Sequence, residues 1–433
     1  MSLFYKIFKP VNPILWDGNK TYESTLKKKY FIFFDELMSA NKNVKKLLIK
    51  LLTLFKESIV FLLTIIYFPF SIILYFFNYR FLHINTAQIG AYIEQIDTII
   101  KQNLLNKNNK KIIFLCPKFI LVNNFIHKIY GKHLICLENF FLYLFLYPFV
   151  HTKFLSLNFW NFETINPESE FNQIQMDYYK KFKNYVLELS EIKNEKNILS
   201  NLCKEKNINI KNLIVIQQRD QFYYNSPTTR NASIDNFAKT INYLIDNGYD
   251  VIRYKSKESK SLNIYKPNYH ELIISSEDDK IKQFLISKNC RLVICYQGGI
   301  SSYNQILNTQ FLLTNAIPIN RNIFIKPNDR VILKKYFSKK LSKFLNLNML
   351  IKEDLHLYID VHTLSDKEVI LHENNEEEIL CATKETLAIT DYNHTSDLQK
   401  MFREIFPDKV TFKYSPSLVC NTFLKKNSYL VNQ

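Results

Sequence analysis

The chain has 433 residues, 47% of them hydrophobic and 15% aromatic, which excludes wholesale disorder and is too long for one ordinary core, so two or three domains are expected. Its formal net charge of +17 draws polyanions, and three classes compete: nucleic acid, anionic lipid headgroups and phosphorylated substrates. Nucleic-acid binding ranks third, because the lysines are scattered among Asn and Ile and form no basic stripe with interleaved aromatics.

Seven cysteines (Cys116, Cys136, Cys203, Cys290, Cys295, Cys381, Cys420) make no CxxC pair and no zinc-like spacing. The expected setting is reducing and cytosolic, without a disulfide framework.

Residues 1–45 are mixed and polar, with basic clusters at Lys27-Lys28-Lys29 and Lys45-Lys46. Ile59 to Phe77 then runs 19 residues without a charge, just the length that reaches across a bilayer core. It lies too far from the N-terminus for a secretory signal, and Pro69 would kink a helix there. Lys45, Lys46, Lys50 and Lys56 precede it and Arg80 follows, favouring a cytoplasmic N-side. The basic, thiol-bearing remainder belongs on the same side, so a monotopic or hairpin attachment fits better than one crossing; a buried hydrophobic helix is the competing reading. Phe140 to Val150 is apolar but too short to span; core is the expected place for it, with a membrane-facing aromatic patch as the alternative.

From residue 81 short elements alternate. Lys111–Cys116 reads as a buried strand, Asn123–Tyr130 as a helix and His133–Cys136 as a second strand, the rhythm of a parallel α/β architecture. Residues 167–206 are charged and helix-prone and connect two domains. Leu213–Ile216 is then a strand, Ile234–Asn247 an amphipathic helix stopped by Gly248, and Tyr249–Arg253 a strand. Leu272–Ser275 is a short strand, and Ser276 with Asp279 gives a capping signal for a helix through Ser287. Leu292–Cys295 and Phe311–Thr314 are further strands.

Between those last two lies the sharpest local feature. Only six glycines occur in the chain, and Gly298 and Gly299 are adjacent, followed by Ser301 and Ser302 and a segment, Tyr303 to Leu307, that can be helical. A strand, a tight turn and a helix N-terminus gather backbone N–H groups at one spot. Glycines let a phosphate approach that backbone, and the hydroxyls add hydrogen bonds. The competing reading is a plain strand-to-helix turn. The pair sits at the carboxyl end of a strand, the edge where open α/β sheets bind ligands.

Several segments, in order, resemble a family of bacterial glycosyltransferases of the two-domain GT-B type associated with surface polysaccharides. Arg219-Asp220 after a strand is similar to the family's His-x-Arg-Asp start of the second domain. Thr229 to Ile234 resembles its Arg-Asn-Ala-x-Ile element, and Gly248 to Arg253 its Gly-Tyr-x-Val-Ile-Arg strand. Asp279 through Cys290-Arg291 to Gly299-Ile300 resembles its Asp…Cys-Arg-Phe…Ser-Gly-Leu section. Thr314 to Pro318, Ile325-Lys326 and Glu373 to Ile379 match its Thr-Asn-x-x-Pro turn, its Ile-x-Lys and its Glu-Asn…Glu-Glu-Ile helix start. The likeness runs from about 213 to 390; earlier it is loose, around Asn85 to Tyr92 and Asn123-Asn124. Gln217 stands where the family commonly has His, and Gly298 where Ser or Thr is usual.

The resemblance implies an α/β, GT-B-like fold of two Rossmann-like domains, to which the uncharged Ile59–Phe77 run adds an N-terminal hydrophobic membrane-associated helical segment. Residues 1–80 would be the basic and hydrophobic membrane-associated region, and 81–206 the acceptor-side domain with its connector helix. Residues 207–390 would bind the nucleotide-sugar, and 391–433 would be a tail packing back on the N-terminal domain. It implies an enzyme moving a sugar from a nucleotide-sugar to a lipid-linked or surface-polysaccharide acceptor at the cytoplasmic face of the inner membrane, held peripherally or monotopically. Its partners would be the nucleotide-sugar, that acceptor and an anionic membrane surface, with no nucleic acid. Gly298, Gly299, Ser301 and Ser302 would cradle the donor diphosphate. Arg219 would neutralise it on departure, since a guanidinium fork suits phosphate oxygens, or else make an interdomain salt bridge. Arg230 is a second phosphate contact or a solvated loop cation, and Asn315 a cleft lining or turn chemistry. Glu378 takes the ribose hydroxyls or caps a helix.

Direct displacement needs a base to deprotonate the acceptor hydroxyl. His127, His133, Asp97 and Glu94 are candidates, with Asp220 beside Arg219 as the alternative. No Asp-x-Asp signature appears in a supporting context, so metal-independent transfer is expected, with no metal site and no cofactor besides the nucleotide-sugar co-substrate. Gln217 and the loose N-terminal match motivate a rival: a catalytically inactive GT-B-like scaffold in polysaccharide assembly.

Overall fold

The computed structural model describes residues 42–84, 86, 88–107, 109–118, 121–152, 154–157, 170–219, 228–319, 326–357, 361–392, 394–408 and 410–432, with the side chains of 42–57, 60, 170–172 and 411 left aside. The chain divides into two compact units. One comprises residues 1–88 and 107–160, the other residues 89–106 and 161–433.

The first unit opens with α1 (Lys42–Phe76) and β1 (Tyr79–Leu82). The chain then contributes α2 (Ile89–Leu105) to the second unit before returning as β2 (Lys111–Leu115), α3 (Ile126–Ile129), β3 (Leu134–Leu137) and α4 (Phe140–Leu146). The three strands form a parallel sheet in the order β1-β2-β3. Phe81, Leu115, Tyr147, Phe149, Val150 and Leu155 form its core cluster, with Tyr67 and Leu74 of α1 packed against it. Among the described residues, no helix is long and apolar enough to cross a membrane. The uncharged Ile59–Phe76 stretch is instead the last part of α1, and Pro69 lies inside that helix. Phe140–Val150, expected in the core, splits. Tyr147 to Val150 are buried, but α4 has no buried residue. Asn139 caps it, its side-chain oxygen accepting from the N–H groups of Phe141 and Leu142 at 2.9 and 3.1 Å, which starts a helix whose Phe140, Phe141 and Phe145 rings are exposed while Tyr143 packs on the core cluster.

The second unit continues with α5 (Glu170–Phe182), α6 (Glu195–Lys206), β4 (Leu213–Gln217), α7 (Ala238–Asp246), β5 (Asp250–Lys255), β6 (Tyr269–Ile273), α8 (Glu277–Asn289), β7 (Leu292–Tyr296) and β8 (Gln310–Ala316). After β9 (Arg330–Leu333), a three-stranded antiparallel sheet forms from β10 (Lys335–Ser338), β11 (Lys343–Phe344) and, beyond α9 (Leu347–Lys352) and α10 (Val361–Asp366), β12 (Val369–His372). Then come α11 (Glu376–Leu387), α12 (Asp397–Glu404), β13 (Leu418–Val419) and α13 (Asn421–Lys426).

The main sheet has seven parallel strands in the order β13-β9-β8-β7-β4-β5-β6. Leu292–Tyr296 and Gln310–Ala316 are buried throughout, the near-continuous apolar text of strands covered on both faces. Gly248 ends α7 with φ +80, a left-handed position that glycine takes without steric cost. The expected Ser276–Asp279 capping box is present at the start of α8. The Asp279 carboxyl, which burial would raise, is held down at about 2 by the hydrogen bonds it accepts from Ser275 and Ser276.

Two expectations meet a different division of the chain. α2, read as part of an acceptor-side domain over 81–206, groups with the second unit, where α5 of the expected connector packs on it. The tail over 391–433 supplies β13 to the edge of the seven-stranded sheet and α13 to a contact with α11, where Glu385 accepts from the N–H groups of Asn421 and Thr422.

Candidate functional site

β4 starts the main sheet, β5 and β6 extend it to one side, and β7 returns to β4's other side. The strand order therefore reverses between β4 and β7, and in doubly wound sheets the crevice outside the carboxyl ends of such a pair is the ligand-binding place. Arg219 lies just past β4, and Gly298-Gly299 just past β7. The topology brings together what the sequence singled out separately.

Around this edge the loops are tied by hydrogen bonds. The N–H of Ala232 donates to the carbonyl of Arg219 at 3.0 Å, and the Asn231 carbonyl accepts from the Lys334 ammonium at 2.5 Å. Arg230 sits half-buried in the same loop. Asn315, at the end of β8, exchanges hydrogen bonds with Asn374. Asn374 also donates to the carbonyl of Leu333 at 2.8 Å, closing the rim from β8 through β9 to α11. Gln297 accepts from the N–H of Ile317 at 2.8 Å. Asp220 lies outside the described residues.

The glycine pair has a second reason to be glycine. Residues Gly299–Gln305 form a 3-10 helix rather than an α-helix, and α2 packs on it. A Cβ on Gly299 would lie 2.2 Å from Cγ2 of Ile89, and one on Gly298 would lie 2.2 Å from the ring of Tyr296. Ser301 is fully buried, and its hydroxyl bridges back to Gly298, accepting from the N–H at 3.1 Å and donating to the carbonyl at 2.5 Å. Ser302 donates to Glu94 of α2 at 2.9 Å. Both serines thus hold the turn and its neighbouring helix as they stand.

Glu378 closes a capping box with Asn375 at the start of α11. Its carboxylate also accepts from Lys335 at 2.8 and 2.9 Å and from Asn427 at 3.0 Å. Any ribose contact there competes with those partners.

The four general-base candidates separate. Asp97 is fully buried in an ion pair with Lys101 at 2.8 Å, a structural pair inside the second unit. Glu94 is buried against Ser302. In the first unit His127 is buried, its Nε2 2.9 Å from Glu138. Burial lowers its pKa although Glu138 pulls the other way. His133 lies in the turn before β3, its N–H donating to Tyr130.

Sequence reasoning missed Lys334. It follows β9 on the same carboxyl edge, is 4% exposed and has its pKa lowered to about 8, chiefly by burial. A lysine directly after a strand-like Arg330–Leu333 text was the available signal. Among the described residues no group of three or more His, Cys, Asp or Glu could hold a metal ion.

No protein-family model matches this sequence, and no curated protein does. Among solved structures, E. coli ADP-heptose LPS heptosyltransferase II aligns over 71% of this chain and 98% of its own, with 12% sequence identity and a TM-score of 0.38. A likeness at that level decides neither fold nor activity.

Proposed function

We propose that this chain is a glycosyltransferase of the two-domain GT-B type, moving a sugar from a nucleotide-sugar to a lipid-linked or surface-polysaccharide acceptor at the cytoplasmic membrane face. One observation carries the reading: Arg219 and Gly298-Gly299 flank the point where the strand order of the seven-stranded sheet reverses.

In this reading the donor diphosphate lies at the carboxyl edge between β4 and β7. Arg219 faces its phosphates with a fork of donors, and Arg230 and Lys334 add positive charge to the rim. Preorganised cations of this kind stabilise the charge that develops on a departing diphosphate without a metal ion. Asn315 keeps the β8 turn in register with α11, and Asp220 beside Arg219 takes the acceptor proton.

The rival reading, a catalytically inactive scaffold of the same fold, draws on Gln217. Where the resembling family commonly has His, this chain has an amide whose oxygen accepts from Gln283 of α8 at 2.8 Å, so the side chain is committed to the sheet's flank.

The test is thermal stabilisation of the purified protein by a panel of nucleoside diphosphates and nucleotide-sugars, with Arg219→Ala alongside. A ligand at 100 times its dissociation constant adds about 2.7 kcal/mol, so one nucleotide class should raise Tm and lose that effect in the variant. Binding without donor hydrolysis or transfer would favour the scaffold. No shift with any nucleotide in folded protein would overturn the donor site.

A further inference from the structure

α1 is built inside out. On the face toward the first unit's core it places Thr64, Tyr67, Ser71 and Leu74, spaced as one helical stripe. The Thr64 hydroxyl donates to the carbonyl of Pro148 at 3.5 Å, and the Ser71 and Thr152 hydroxyls are 3.4 Å apart. The rings of Tyr67 and Phe149 meet edge to face at 5.0 Å. The opposite face carries Leu62, Ile65, Ile66, Phe70, Ile73 and Phe76, all exposed, with Ile66 at 62% and Phe76 at 79%. A helix that meets water puts its hydroxyls outward; this one buries Thr64 and Ser71 beside Tyr67 and Leu74 and leaves those six large apolar side chains exposed.

α4 repeats the pattern beside it. Phe140, Phe141, Leu142, Leu144 and Phe145 are exposed, Phe141 at 77%. The rings of Tyr67 and Phe145 meet at 5.4 Å, so the two helices adjoin. Exposed apolar side chains gathered on neighbouring helices in this way mark a binding face.

Charge identifies the occupant. Residues 1–88 and 107–160 hold 19 Lys and Arg against six Asp and Glu, so +13 of the chain's formal +17 belongs to this unit. From Ser58 to Gln88 and from Lys107 to Trp160, Glu138 is the only acid, against Arg80 and seven lysines. An apolar face set in a unit of one positive sign matches a bilayer with anionic headgroups, where buried apolar area and electrostatic attraction act together. A second copy of the same unit would bring like charge against like.

We infer that the outer faces of α1 and α4 form a monotopic insertion surface for an anionic lipid bilayer, the two helices lying in the interfacial plane. Because one stripe of α1 is seated on Pro148, Phe149 and Thr152, lipid surrounds only its other side. The surface deepens the proposed function by naming how this chain would reach a lipid-linked acceptor, but its evidence is separate from the donor site.

The test is co-sedimentation with vesicles of phosphatidylethanolamine and phosphatidylglycerol (3:1) against vesicles of phosphatidylcholine alone, at low and at 1 M NaCl. The protein should sediment with the anionic vesicles and, once bound, resist release by high salt. Phe141→Glu with Phe145→Glu should lower the bound fraction at least about tenfold, while circular dichroism and any nucleotide-induced Tm shift stay as in wild type. Phe141→Trp, a milder variant, should gain fluorescence that brominated lipid quenches. Wild-type protein left in the supernatant, an introduced indole that brominated lipid leaves unquenched, or a salt-labile complex indifferent to the glutamates would overturn the inference. So would a stable dimer that the glutamates dissociate and vesicles do not, which would make the face a contact between copies. A failed nucleotide assay leaves this result standing, and the reverse also holds.

Discussion

Asn315 and Asn374 hold each other by the same bond made twice. The N–H of Asn315 donates to the side-chain oxygen of Asn374 at 2.6 Å, and the N–H of Asn374 donates to the side-chain oxygen of Asn315 at 2.8 Å. The exchange requires Asn315 to sit at φ +52, a left-handed conformation that Asn adopts more readily than most residues. It fixes the end of β8 to the start of α11, on the rim where the donor site is proposed.

Replacing Asn374 with Ala orphans the buried N–H of Asn315 and the carbonyl of Leu333 together, so a loss of roughly 2–4 kcal/mol is expected. Asn315→Ala should cost about 1–3 kcal/mol through the lost acceptor and the strained φ. The double variant should lose less than the sum, because each single change already breaks the shared unit. Urea unfolding of the four proteins measures all three quantities, and strict additivity would show that the pair does not act as one.

Gly299→Ala should destabilise the protein by about 1–3 kcal/mol through overpacking, because the new Cβ falls on Cγ2 of Ile89. Ile89→Ala removes that atom, so the double variant should recover much of the loss in Tm. If the double variant is stable and still binds nucleotide as wild type does, the glycine serves helix packing; if binding is lost though stability returns, it also serves the ligand.

What the sequence could show followed from local text. The strands from β4 to β8 lie within a few residues of their apolar runs, and the Ser276 capping box is where its spacing puts it. The carboxyl-edge position of Gly298-Gly299 was readable for the same reason. What it could not show depends on distant neighbours. Nothing near Gly299 announces that Ile89 fills the space beside it, and nothing within Ile89–Leu105 says that the helix joins the second unit. α4 misled because an aromatic heptamer reads as core whether it faces protein or lipid; only its surroundings separate the two.

Asp97 and Lys101 are both fully buried and 2.8 Å apart. The Lys101 ammonium also donates to Gln175 of α5 at 2.7 Å, and Gln175 returns a bond to Asp97 at 3.0 Å. Asp97→Ala alone should cost about 3–5 kcal/mol, since it leaves an uncompensated buried ammonium, whereas Asp97→Leu with Lys101→Met should cost markedly less. Equal losses in chemical denaturation would mean the pair is not what binds α2 to α5.

Lys334 sets a pH dependence with a defined sign. Burial lowers its folded pKa to about 8, from an ordinary value of 10.5. Below pH 8 the lysine is charged in both folded and unfolded chains, so it adds no slope but carries its full desolvation penalty. Between about 8 and 10.5 the unfolded chain binds more protons than the folded one, and stability rises with pH. Lys334→Met removes the penalty, which amounts to something on the order of 3 kcal/mol, less about 1 kcal/mol for the hydrogen bond to Asn231. The variant should therefore be more stable than wild type at pH 7, and the gap should close as pH approaches 10. Other groups titrate in the same window, Lys326 among them with a pKa of about 8, so the difference between the two unfolding curves at each pH is the quantity to follow. A gap that stays constant from pH 7 to 10 would show that Lys334 keeps an ordinary pKa in the folded chain.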